Sequence, residues 1–142
     1  MTKTKDLPPG FTVDSDIAAK MQEQVEDGML SCARAHGIAR KMKVSPELIG
    51  HTADALDIRL SKCQLGLFGY PHKKGWDAAG VPEKPIPDDF TADLQSTIAG
   101  QDKITCLVLW EIAAKHGISR LQAGYIAENL GIRIVDCQLG AF

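Results

Sequence analysis

The amino-acid sequence predicts a mainly α fold made of two pseudo-symmetric three-helix repeats, each ending in a short β-strand. Three observations carry this. Residues 28–68 align with 102–142 without a gap at an offset of 74, and 15 of the 41 positions are identical. Apolar residues recur at helical spacing inside both copies. Each copy then closes on a short run that alternates apolar and basic residues, followed by Cys-Gln-Leu-Gly-x-Phe. Two copies are too few for a stacked solenoid, so a pseudo-symmetric pair is the natural arrangement. The expected organisation is a lead-in over 1–13, a first repeat over 14–68, a linker over 69–87 and a second repeat over 88–142. The repeats are expected to pack together, because a unit of ~40–60 residues is marginal alone.

The first helix of each repeat is predicted over 14–26 and 88–99. Ile17, Met21 and Val25 recur every fourth residue in one copy, and Phe90, Leu94 and Ile98 do so in the other. Asp14 or Ser15 supplies an N-cap; Asp88 and Asp89 read as caps of the second copy's helix. The second helix starts at Ser31 or Thr105, hydroxyls suited to capping, and ends at Lys43 or Gly117. Its inward stripe holds Ala35, Ile38, Ala39 and Met42 in the first copy and Leu109, Ile112 and Ala113 in the second. The third helix starts after Ser45 or Ser119, with Pro46 at the first helical position, where its missing N–H is not needed. Asp57 and Gly131 close it, and Gly131 suits a left-handed cap. Ile58-Arg59-Leu60 and Ile132-Arg133-Ile134 then alternate as half-buried strands, expected to pair with each other across the pseudo-two-fold axis. In the linker, Pro82, Pro85 and Pro87 act as breakers, Trp76 is expected to pack onto one repeat, and His72-Lys73-Lys74 reads as a solvated turn.

Ala113-Ala114-Lys115-His116-Gly117-Ile118-Ser119, followed by Ala123 and Ile126, resembles the helix-turn-helix pattern: a small residue, a turn glycine, a capping hydroxyl, then spaced apolar positions. The first copy keeps Ala39, Val44, Ser45 and Ile49 but has Lys43 at the turn. The whole chain is similar to duplicated prokaryotic proteins with tandem helix-turn-helix-like modules that end in Cys-Gln-Leu-Gly-x-Phe. That resemblance implies a fold and no activity. The helix-turn-helix pattern implies a DNA-binding transcriptional regulator. Arg120, Gln122, Tyr125 and Asn129 would then lie near bases. Lys43, Arg59, Lys62 and Arg133 would lie near phosphates, the strand arginines serving as a minimal wing.

Charge gives this reading limited room. The net charge is −2, which excludes a uniformly basic nucleic-acid coat. Residues 28–68 hold six Lys and Arg against three acids, whereas 102–142 hold four of each. The basic set of the first copy is a modest phosphate stripe or a solvated face. Gly50 and Gly124 occupy the middle of the third helices, where glycine costs about 1 kcal/mol relative to Ala. Their recurrence points to close approach of another element, such as the other third helix, or to inheritance from a duplicated ancestor. Third helices packed on each other could not both enter a DNA groove. The alternative function is therefore a non-enzymatic protein-interaction module with packed helices.

The four cysteines open a second alternative, metal binding through Cys32, Cys63, Cys106 and Cys137. Their spacing lacks the C-x-x-C of a zinc finger, and buried structural thiols are the default. No cofactor is expected. The Leu65-Gly66-x-Phe68 and Leu139-Gly140-x-Phe142 endings read as structural closures with Phe68 and Phe142 as apolar plugs. G-x-S-x-G, H-E-x-x-H and a glycine-rich phosphate loop are all lacking, so no catalytic site is expected. No apolar run approaches the ~18–20 residues that span a bilayer, and the N-terminal segment carries two lysines without an apolar core. The expected location is the cytoplasm, with DNA or a protein as partner and homo-oligomerisation open.

Overall fold

The computed structural model describes residues 7–71 and 74–142 and is mainly helical with a few short strands. No helix among the described residues is long and apolar enough to cross a membrane. The chain divides into two compact units. The first unit runs to Cys63 and includes the terminal segment Gln138–Phe142; the second is Gln64–Cys137. The sequence repeats close at Phe68 and Phe142, so the residues after each repeat's second cysteine fold with the unit that the other repeat builds. His72 and Lys73 of the expected solvated turn lie outside the described residues, as do residues 1–6 of the lead-in.

In the first unit the order is α1 (Ser15–Gln24), β1 (Met29–Ser31), α2 (Cys32–Met42), α3 (Pro46–Ala55) and β2 (Arg59–Ser61). Asp14 caps α1: its carboxylate accepts from the amides of Asp16 at 2.8 Å and Ile17 at 3.2 Å. The helix stops at Gln24, two residues short of expectation, because Val25 is extended and Glu26 turns back to exchange backbone hydrogen bonds with Met29 at 2.9 Å. Ser31 and Ser45 cap α2 and α3 through the amides of Arg34 and Leu48, each at 3.2 Å. Lys43 ends α2 in the left-handed region at φ 58°. Ile17, Met21, Leu30, Ile38, Ala39, Ile49 and Ala53 are buried.

The second unit has α4 (Asp88–Ile98), β3 (Lys103–Thr105), α5 (Cys106–His116), α6 (Arg120–Asn129) and β4 (Arg133–Val135). A 3-10 turn, Val81–Glu83, precedes α4. Thr105 and Ser119 cap α5 and α6. Asp88 and Asp89 are not caps. They lie in the first turn of α4, whose N-cap is Pro87, and there they complement the helix dipole. Gly117 takes the left-handed position at φ 66° that Lys43 takes in the first unit.

The expected pairing of the two repeats' strands with each other is not made. Instead β1 pairs in parallel with β2, Ser31 opposite Ser61, and β3 pairs in parallel with β4, Thr105 opposite Val135. Arg59 donates to the Gly28 carbonyl at 3.0 Å and Arg133 to the Asp102 carbonyl at 2.7 Å. Each ribbon therefore closes inside its own unit, across a two-helix crossover. The partner strands, 29–31 and 103–105, are only three residues long and run directly into helices, so no alternation marks them in the sequence.

Candidate functional site

The third helix of each unit is where the sequence concentrates its candidate residues. In the second unit, capping by Ser119 sets the start of α6, and Arg120, Gln122, Gly124 and Tyr125 follow within two turns. Gly124 is buried against the backbone of Leu65. A Cβ built on it would fall on the Leu65 carbonyl, 2.9 Å from its carbon. That carbonyl accepts a 2.9 Å hydrogen bond from the Trp76 indole Nε1. Trp76 is buried and meets Tyr125 edge-on at 5.5 Å. It also fills the space beside Gly66, where a Cβ would come within 2.6 Å of the indole Cδ1. The linker tryptophan and the first repeat's tail thus form one plug on α6.

The polar residues of that face are committed to the same plug. The Arg120 guanidinium lies 3.6 Å from the centroid of the Trp110 ring and donates to Gln64 Oε1 at 2.6 Å. Gln122 Nε2 donates to the Pro85 carbonyl at 2.9 Å. Lys74 stands 3.6 Å from the Glu128 carboxylate and 5.5 Å from the Trp76 ring. Asn129, the last residue of α6, is exposed.

In the first unit α3 repeats the central feature. A Cβ on Gly50 would fall on the Leu139 carbonyl, 2.7 Å from its carbon. Leu139 is 3% exposed and Leu65 is fully buried. Phe68 and Phe142 keep partial exposure, so the expected phenylalanine plugs are leucine plugs. The close approach of another element expected at these glycines is made, and the element is main chain within the same unit: each glycine receives the backbone of a Leu-Gly tail. Beside Gly50, His51 faces Glu47 at 3.6 Å and meets the Phe11 ring edge-on at 5.8 Å.

The phosphate candidates are distributed differently. Lys43 and Arg59 are exposed at the end of α2 and the start of β2, and Arg133 is exposed on β4. Lys62, exposed just past β2, lies near the Glu26 carboxylate. That carboxylate is held below its ordinary pKa, chiefly by a 2.7 Å hydrogen bond from Arg34. Arg34, one of the basic residues of this unit, is therefore paired with an acid. Cys32 and Cys106 open α2 and α5, and none of the four cysteines is in a disulfide. Among the described residues, no group of three or more His, Cys, Asp or Glu side chains comes together to hold a metal ion.

Gln64, Leu65, Trp76, Pro85, Trp110 and Leu139 were not among the candidate site residues. The available signals were the paired mid-helix glycines and the repeated Cys-Gln-Leu-Gly, which sequence reasoning took separately. Comparison with protein-family profiles, curated proteins and solved structures finds no match for the chain.

Proposed function

We propose that the chain is a duplicated, helix-turn-helix-like protein-interaction module without a catalytic role, whose third helices hold turned Leu-Gly segments rather than reading bases. The observation that carries this reading is the occupied glycine notch: Leu65 backbone on Gly124, and Leu139 backbone on Gly50. The pseudo-symmetry is supported by the bounds themselves. Cys32–Met42 and Cys106–His116, like Pro46–Ala55 and Arg120–Asn129, stand 74 residues apart. A base-reading role needs the outer face of the third helix to enter a major groove. On α6 that face would first have to shed Gln64, Leu65, Trp76 and Pro85. A protein-binding role needs only that one Leu-Gly segment replace another on such a face.

A second reading, contact with DNA phosphates, is favoured by one observation: Lys43, Arg59, Lys62 and Arg133 are exposed. Titrating labelled duplex DNA with the full chain at low and high salt separates the two. The expected result is no saturable, salt-dependent change in anisotropy. Binding that weakens steeply with salt and is lost on replacing Lys43 and Arg59 by Glu would overturn the interaction-module reading in favour of the regulator.

A further inference from the structure

We infer that the Gly50 notch on α3 is an exchangeable binding site for the terminal arm 138–142, and that its partner in trans is the arm of a second copy of this chain. The inference rests on the interaction-module reading and names the partner.

The arm is covalently continuous with β4 and Cys137, which belong to the second unit, yet it folds as part of the first unit. Its attachment to α3 is therefore a non-local association, held in place by tethering. A tethered segment competes with a free one only through effective concentration, which is of millimolar order for short tethers. The same arm presented by another molecule makes the same contacts. Domain exchange of this kind needs no new surface, only a second chain.

The notch is built for the arm's sequence. Gly50 has no side chain, so a backbone carbonyl can sit flush on the helix, and the Leu139 side chain is buried beside it. The arm's shape is set by two left-handed residues, Asp136 at φ 52° before it and Gly140 at φ 75° within it. The first repeat's tail has the same device, Lys62 at φ 47° and Gly66 at φ 84°, and brings Leu65 to Gly124. Two tails with one conformation fill two notches with one chemistry. This identifies Cys-Gln-Leu-Gly as the recognised element, and a second copy of the chain is a partner that carries it in the same conformation.

The test uses the full chain, the chain lacking 138–142, and a fluorescent synthetic peptide of residues 136–142. The arm-deleted chain is expected to bind the peptide saturably. The intact chain should bind it at least about tenfold more weakly, because its notch is filled. Gly50→Val in the arm-deleted chain should abolish binding. By light scattering, the intact chain should show a concentration-dependent dimer that disappears on arm deletion and on addition of excess peptide. Should arm deletion unfold the chain, intact Leu139→Ala takes its place, since a weakened plug leaves the notch open to the peptide. A folded chain with an emptied or weakened notch that ignores the peptide would overturn the inference. So would an intact chain that stays monomeric throughout, or a dimer that survives loss of the arm. Each of these failures leaves the DNA titration unaffected, so loss of the exchange is distinguishable from loss of the interaction-module reading.

Discussion

A methyl group at Gly124 would press on the carbonyl that the Trp76 indole uses as its acceptor. Alanine there gains about 1 kcal/mol of helix propensity. Against that, overpacking costs about 1–3 kcal/mol, and losing the indole hydrogen bond costs about 1 kcal/mol more. Gly124→Ala should therefore lower stability by about 1–3 kcal/mol in urea titration. Gly37, also inside a helix, is the contrast. A Cβ there meets nothing nearer than the Arg40 guanidinium at 3.9 Å. Gly37→Ala should raise stability by up to about 1 kcal/mol, and a chain in which both substitutions move the midpoint the same way would contradict the notch. The sequence showed that Gly50 and Gly124 are special, since both copies carry the same unfavourable residue in mid-helix. It did not show what approaches them. A main-chain carbonyl is the same atom in every residue, so no side chain advertises it.

Helix ends were legible because capping is local chemistry. Ser31, Ser45, Thr105 and Ser119 each accept from the amide three residues on. The turn after the second helix is also local, and it differs between copies. Gly117 adopts the left-handed conformation without strain, whereas Lys43 is held there at φ 58°. Lys43→Gly should stabilise the first unit by about 1 kcal/mol, visible as a higher urea midpoint with an unchanged slope. A lower midpoint would mean that the lysine side chain has a role which the turn geometry does not explain. Contacts between elements were less legible, as α4 and α5 illustrate. Asp93 on α4 receives His116 at 2.9 Å and Lys115 at 3.1 Å from α5. These hydrogen bonds hold its carboxyl below the ordinary aspartate value, His116 contributing most and Lys115 next. A carboxylate with a depressed folded pKa adds stability above its unfolded pKa and loses it as pH falls through the folded one. Between about pH 5 and pH 2 the intact chain should thus lose more stability than Asp93→Asn. Equal losses in thermal melts across that range would remove this contact from the pH response.

At the scale of the chain, the repeat predicted that the last residues close the second copy. The structure assigns them to the first unit, with Leu139 against Gly50. No pattern of residue types encodes that choice, because both tails and both notches carry the same Leu-Gly and Gly, and either tail suits either helix chemically. Which tail reaches which notch is decided by the path of the backbone after Cys63 and Cys137. This gives a prediction of position rather than size. Deleting 138–142 removes nothing from α6, whose Gly124 is filled by Leu65, but uncovers α3. Losing the packing of a buried leucine costs about 2–5 kcal/mol, more than enough to raise local opening in the element it covered. Amide hydrogen exchange should consequently accelerate in residues 49–53, some 90 positions upstream of the cut, while 123–127 keep their protection. Acceleration confined to 123–127 and 133–135 would mean that the tail stabilises its own repeat, and the assignment of the arm to the first unit would fail.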